Sequence, residues 1–298
     1  MLIDDPHFNV HVCNSYFFEC FGSIMFQDAM QPICGLSGAT LSGVTCILTD
    51  IDDTITTRGR LTARAYAALE RLQHAGLRVV PITGRPAGWC DMIARFWPVD
   101  GVVGENGAFY MRYDRVAFRM KVHHREEEAV RAENRKRLDA LAQLILQTVP
   151  GTALASDQAY RIADLAIDFC EDVPPLSDQD VGRIVELFLD CDAYAKVSSI
   201  HVNGWFGAYD KLTTSRHFLQ QEFGLNEAEM QTQVIYVGDS PNDAPMFAHF
   251  GLSVGVANVR RYAQKMYPMP SYITEQESGD GFAELVEYIL RNRGERDV

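Results

Sequence analysis

A chain of 298 residues that is 47% hydrophobic has material for a sizeable core, and its length favours two domains over one. The formal net charge of −13 argues against a nucleic-acid backbone or an anionic membrane surface as partner. Seven scattered cysteines without a C-x-x-C pair indicate neither a zinc ribbon nor a disulfide framework, and reduced thiols in the cytoplasm are expected.

Residues 1–43 carry neither helical nor alternating periodicity. They are expected to form an N-terminal extension, or to reflect an early start with Met25 or Met30 the real beginning. The apolar stretch 16–26 lacks the basic segment that precedes a signal-peptide core, since no Lys or Arg occurs before Arg58. Residues 45–49 read as a buried strand that runs into Asp50, Asp52 and Asp53. Residues 61–75 place Leu61, Ala65, Ala68, Leu69 and Leu72 at helical spacing, with Gly76 as the stop. A second strand, 77–82, ends in Thr83-Gly84-Arg85-Pro86, and a helix over 88–96 follows. A short strand at 101–103 leads into Glu105-Asn106-Gly107. Strands alternating with helices predict a parallel sheet with right-handed crossovers.

The pattern changes near Tyr113. Residues 125–148 form one long charged helix, with Val130, Leu138, Leu141, Leu144 and Ile145 inward. Residues 161–169 alternate as a half-buried strand should. Ser177 and Asp180 resemble a capping box opening a helix with Val181, Ile184, Val185 and Phe188 on its apolar face, and 195–202 reads as another strand. These elements predict an α+β module over 113–202 inserted into a core made of 44–112 and 203–298. The parallel pattern resumes with a helix at 211–223 and a buried strand at 234–237. That strand runs into Gly238-Asp239-Ser240-Pro241-Asn242-Asp243, and a helix at 244–250, a strand at 252–256 and a helix at 282–291 follow.

A single Asp-rich loop reads equally well as a solvated turn with a helix cap. A calcium loop is excluded, because Thr54 and Ile55 stand where an acid or amide and a glycine are required. The second acidic loop, at Asp239 and Asp243, changes the reading. Both loops follow parallel strands, so their carboxylates converge on one sheet edge, where ligands bind in open α/β sheets. Such a cluster repels itself unless a hard cation relieves it, and Mg²⁺ suits a few carboxylates with waters and phosphate oxygens. Thr83 adds a hydroxyl, Gly84 an unobstructed N–H and Lys211 a positive charge, which together make a phosphoryl-sized site. One carboxylate can attack as nucleophile to form an aspartyl-phosphate. A second, two residues on, can protonate the leaving alkoxide and later deprotonate water.

These residues resemble the haloacid dehalogenase-like phosphohydrolases. Asp50-Ile51-Asp52-Asp53-Thr54 matches that family's D-x-D-x-T motif. Thr83 matches its second motif, Lys211 its third, and Gly238 to Asp243 its fourth. Glu105-Asn106-Gly107-Ala108 and the large insert resemble the subfamily with a C2-type cap, which includes Cof-like and sucrose-phosphate phosphatases. The resemblance implies an α/β fold, with a Rossmann-like parallel-sheet core and an inserted α+β cap. It implies that Asp50 is nucleophile and metal ligand, and that Asp52 is the acid/base with its carbonyl on Mg²⁺. Asp239 is then a further ligand, Asp243 supports the metal waters and Lys211, and Thr83, Gly84, Lys211 and Asn242 hold the phosphate. Asp53 stands where many members carry glycine. On the cap, Arg161, Asp164, His201 and Asn203 either face the substrate or serve as strand-surface residues and internal salt bridges. Arg85 either reaches the substrate or caps or pairs locally, and His123-His124 is expected to face solvent.

The expected activity is Mg²⁺-dependent hydrolysis of a small phosphorylated metabolite, a sugar phosphate, with no nucleic acid or membrane involved. A phosphotransferase or phosphomutase would use the same core. A phospho-accepting signalling module is a third reading, but receiver domains are about half this length and have no inserted module.

Overall fold

A computed structural model describes residues 30–294, Ser199 and Lys265 excepted. The expectations for the apolar stretch 16–26 and for Met25 lie outside the described residues. β1 (Gln31–Pro32) precedes α1 (Gly38–Gly43), which Ser37 caps by accepting the Thr40 N–H. β2 (Cys46–Thr49) is buried throughout. A small hairpin, β3 (Thr56–Thr57) and β4 (Arg60–Leu61), leads to α2 (Ala63–His74), capped by Thr62. Ala65, Ala68, Leu69 and Leu72 are the buried face of α2, as their spacing predicts. β5 (Arg78–Pro81), α3 (Ala87–Phe96) and β6 (Val102–Gly104) complete this first segment of the core.

β7 (Phe109–Asp114) and β8 (Arg119–His124) form an antiparallel hairpin on β6. Then come α4 (Glu128–Thr148), β9 (Ala153–Leu154), β10 (Asp164–Asp168), α5 (Asp178–Asp190), β11 (Tyr194–Val197) and β12 (His201–Trp205). The chain returns to the core with α6 (Lys211–Phe223), α7 (Glu227–Gln233), β13 (Val234–Gly238) and α8 (Ala244–His249). β14 (Leu252–Gly255), β15 (Tyr272–Ile273) and α9 (Ser278–Asn292) follow.

The main sheet is parallel in the order β1-β15-β14-β13-β2-β5, and an Ile82–Val103 bridge extends it toward β6. Strand alternation splits its core into two layers. Ile47, Val79 and Ile235 pack with Leu69, Phe282 and Val286 on one face. Leu48, Val80 and Tyr236 pack with Phe218, Leu219 and Met246 on the other. The α/β reading of the sequence therefore holds, and helices cover both faces of a parallel sheet, as such sheets require.

A second sheet is antiparallel in the order β11-β12-β10-β9. Leu165, Ile167 and Val202 face α4 and α5, where Leu141, Ile145, Ile184 and Phe188 close a separate core. The alternate residues point the other way: Asp164, Ala166 and Asp168 register with Trp205, Asn203 and His201. Lys196 registers with Asn203 on that same face. Trp205 packs into the core cluster of the main sheet, so this face is turned toward the parallel sheet.

Several expectations change here. Val130 and Leu144, expected inward on the long helix, are exposed, and the buried face of α4 is Leu138, Leu141, Ala142 and Ile145. The strand predicted over 195–202 is a hairpin, because Ser198 turns the chain: its N–H donates to the His201 carbonyl at 2.8 Å, and its Oγ accepts the His201 N–H at 2.9 Å. The boundary drawn at 202 consequently passes through β12, whose pairing with β10 continues to Trp205. Residues 161–163, predicted as strand, form a turn that donates its N–H groups elsewhere, as described below.

Candidate active site

The strand order reverses at β2, with β5 on one side and β13 on the other. Ligands bind at the carboxyl ends of strands at such a switch point. Asp50 follows β2, Thr83 and Gly84 lie just beyond β5, and Asp239 follows β13. Lys211 opens α6, whose first turn is set by a capping box between Asp210 and Thr213. The Glu105–Gly107 turn seats that helix start. Gly107 has φ 107, and a Cβ there would lie 2.1 Å from the Asp210 carbonyl oxygen. The Thr214 hydroxyl donates to the Gly107 carbonyl at 2.6 Å.

Lys211 is buried between two carboxylates. Its Nζ lies 2.7 Å from Asp50 Oδ1 and 3.4 Å from Asp243 Oδ1. Asp243 is fully buried and well satisfied, accepting from the Tyr236 hydroxyl and the N–H groups of Asp239 and Ser240. Asp239 accepts from Asn258 Nδ2 at 2.8 Å and from the Thr54 hydroxyl at 3.3 Å. Asp50, Asp239 and Asp243 bring oxygens within 4.8 Å of one another. Burial pushes the Asp50 carboxyl up to about 7, against the pull of Lys211. Burial, then Asp243 and Asp50, push Asp239 up to about 9. Lys211 offsets one charge of three, so the cluster lacks positive charge, and the all-oxygen donor set fits a hard divalent cation.

Asp52 points differently. Arg85 holds both of its oxygens, with Nε at 3.2 and 3.0 Å and Nη2 at 2.9 Å. Arg85 therefore pairs locally with the acid that the sequence reading casts as acid/base. Asp53 adopts φ 55, in the left-handed region where glycine is favoured and Asp tolerated. Its carbonyl accepts from Asn258, the side chain that also holds Asp239.

Thr83 is fully buried, and its hydroxyl accepts the Arg85 N–H at 3.0 Å. Gly84, Lys211 and Asn242 line a cavity of about 460 Å³ together with Asp50, Asp52 and Asp239. Its other wall comes from the antiparallel sheet and the turn before β10, and includes Arg161, Lys196, His201 and Asn203. Of the cap candidates, Asp164 stays out of the cavity lining, fully buried and salt-bridged to Arg161 at 3.0 Å. Arg161 lies in the lining but is bound to Asp157 and Asp164, and it donates to the Gly84 carbonyl at 3.0 Å. His201 Nε2 lies 2.9 Å from Glu171. Asn242 reaches the Val197 carbonyl at 3.4 Å. His123 is exposed, as expected, and contacts His217 at 3.1 Å.

Sequence reasoning missed three participants. Asn258, which holds Asp239 and the Asp53 carbonyl, belonged to no motif. Lys196 carried no motif. Glu105 was noted only within its signature, yet its buried carboxylate accepts four backbone N–H groups, from Ala87, Ile162, Ala163 and Asp164.

A family model described as haloacid dehalogenase-like hydrolase matches residues 47–142 and 214–286. The chain belongs to the haloacid dehalogenase-like hydrolase family. The matched ranges of this hydrolase hold both acidic loops and Thr83, while Lys211 and all four strands of the antiparallel cap sheet fall in the unmatched gap. A phosphoglycolate phosphatase of Methanoculleus marisnigri is 29% identical over 243 residues, covering 81% of this chain and 94% of that one. A solved protein of Thermoplasma acidophilum superposes with a TM-score of 0.63 at 15% identity, covering 83% of this chain and 98% of that one. The sucrose-phosphatase of Synechocystis, solved with sucrose and phosphate, gives 0.55 at 16% identity, over 82% of this chain and 97% of that one. The structural likenesses show a shared fold.

Proposed function

We propose that this haloacid dehalogenase-like hydrolase is a phosphatase that cleaves the monoester of a small phosphorylated metabolite through an aspartyl-phosphate. The observation that carries the reading is the Asp50 carboxylate, 2.7 Å from the buried Lys211 ammonium at the floor of a two-walled cavity. The core is taken as 44–124 and 206–298 and the cap as 125–205, because the boundary at 112 would divide β7, whose hairpin with β8 pairs with β6 and packs into the core; the cap sheet is the roof.

Asp50 is the nucleophile: its oxygen bonds to phosphorus as the ester P–O bond breaks. Asp52, once a proton from solvent replaces one of its Arg85 contacts, gives that proton to the leaving alkoxide, then takes one from the water that attacks phosphorus and frees Asp50. Lys211 and the N–H of Gly84 hold the phosphoryl oxygens, with Thr83 fixing the turn and Asn242 closing the rim. Asp50, Asp239, Asp243 and the carbonyl of Asp52 would hold Mg²⁺, which neutralises the oxygens of the transferred group. The cap excludes bulk water and shapes the space for the leaving group.

The subfamily resemblance suggests a sugar phosphate. A phosphorylated small hydroxy acid is the second reading, favoured by the phosphoglycolate phosphatase relative. The described cysteines are free thiols, which suits a cytoplasmic location. Among the described residues, no helix is long and apolar enough to cross a membrane.

The test is phosphate release from an aryl phosphate with and without chelator, for wild type and Asp50→Asn. Activity that survives both the substitution and metal removal would sink the mechanism. An isomerised product in place of free phosphate would make the enzyme a mutase, and stable labelling of Asp50 without turnover a signalling module.

A further inference from the structure

We propose that Lys196 is the specificity-determining residue of the cavity: it binds a second anionic group, carried by the leaving group of the substrate. The inference rests on the phosphatase reading and deepens it.

The cations that line the cavity are Arg58, Arg85, Arg161, Lys196 and Lys211. Three of them are taken. Arg85 is forked onto Asp52, Arg161 bridges Asp157 and Asp164, and Lys211 bridges Asp50 and Asp243. Arg58 is exposed on the turn between β3 and β4. Lys196 is half-buried, and among the described residues no carboxylate lies within 4.0 Å of it. The acids whose charge bears on it are engaged elsewhere: Asp210 caps α6 by accepting the Thr213 N–H, and Asp243 holds Lys211. A half-buried ammonium without a partner costs free energy that a bound anion would offset.

Its position says which anion. Lys196 stands on β11 opposite Asn203 of β12, and both lie on the face of the cap sheet turned to the core. Asp50 and Lys211 form the opposite wall. A monoester held by Lys211 therefore projects its leaving group toward Lys196 and Asn203. Lys196 and Lys211 line the same cavity, so both cations bear on one small volume. A cavity of about 460 Å³ holds a compact ligand, so the second anion belongs to a short molecule such as a phosphorylated hydroxy acid.

The experiment compares matched ester pairs that differ in that charge. The pairs are 2-phosphoglycolate against 2-hydroxyethyl phosphate, and 3-phosphoglycerate against glycerol 3-phosphate. The wild type should prefer the anionic member of at least one pair, through a lower KM. Lys196→Met should reduce that preference, read as a ratio of kcat/KM values, by roughly 10- to 100-fold, as loss of a charge-assisted contact does. Lys196→Glu should reduce it further, and Lys196→Arg should retain most of it. A parallel loss on both members of a pair would overturn the assignment, by showing that Lys196 acts on the transferred phosphate or on the fold. Turnover of an aryl phosphate with no charge preference in either pair, read on the wild type alone, would overturn it as well. No phosphate release from any ester would instead remove the phosphatase reading itself.

Discussion

Arg85 and Asp52 form a forked ion pair in which three N–H contacts occupy both carboxylate oxygens. The same guanidinium lies 4.7 Å from the Trp89 ring and 3.9 Å from Asp157 on the cap, so its orientation is fixed from three sides. Asp52 is thereby aimed before substrate arrives. Arg85→Ala should lower kcat roughly 10- to 100-fold on an alkyl phosphate, whose leaving group needs a proton. The loss should be several-fold smaller on p-nitrophenyl phosphate, whose leaving group does not. Equal losses on the two esters would show that Arg85 does not work through Asp52.

The acidic half of this site was legible because both loops follow apolar strand runs, and parallel strands must end on one edge. Lys211 was legible only through its place in a motif order, since a lone lysine before a helix carries no chemistry of its own. Asp53 looked like a surplus charge. The structure gives it a backbone role at φ 55, which local sequence does not reveal. The hairpin at Ser198 escaped because its turn lacks the glycine, proline or asparagine that usually marks one. Arg85, Glu105 and Lys196 act across the core–cap junction, and no periodicity within one segment reports a contact between two.

Lys211→Met should destabilise the chain as well as inactivate it. The substitution leaves Asp50 and Asp243 buried without their shared cation. Breaking a buried pair in this way costs about 3–5 kcal/mol. Millimolar Mg²⁺ should restore part of the loss in a thermal melt, because the remaining carboxylates still converge. A melt identical to wild type without metal would show that the ammonium is not what holds those charges.

The crowding of Asp50, Asp239 and Asp243 within 4.8 Å predicts a metal-linked stability. Saturating Mg²⁺, at about 100 times its Kd, should add about 2.7 kcal/mol to wild type. Asp239→Asn should remove most of that increment, since a carboxylate ligand is replaced by an amide. Calorimetry with and without chelator reads the effect. An Asp239→Asn protein that gains as much from Mg²⁺ as wild type would contradict a metal site at these carboxylates.

Glu105 ties the two sheets together. It projects from the core turn after β6, and three of its four backbone donors, Ile162, Ala163 and Asp164, belong to the cap. Glu105→Gln keeps the shape but turns one acceptor into a donor that faces those N–H groups. The cost should be about 2–4 kcal/mol. That corresponds to a fall in Tm of roughly 3–6 °C for a chain of this size. Hydrogen exchange should show the 162–164 amides losing protection first. Unchanged protection there would mean that Glu105 does not hold the cap.

Lys196 should give the enzyme a pH dependence specific to anionic substrates. Burial first, and then the charge of Lys211, lower the affinity of Lys196 for its proton, with Asp210 and Asp243 opposing. The cationic form is therefore lost at a lower pH than for an ordinary lysine. The KM for 2-phosphoglycolate should rise as pH climbs through that depressed value, while the KM for 2-hydroxyethyl phosphate should not share the rise. Arg161, His201 and Glu171 face the same cavity from the cap, and Asp50, Asp52 and Arg85 face it from the core. None of them is altered by Lys196→Arg, so the comparison isolates the lysine. Arginine stays charged across the accessible range, and the variant should show a flat alkaline KM profile for 2-phosphoglycolate. A profile that still bends in Lys196→Arg, at the same pH as wild type, would assign the titration to another group.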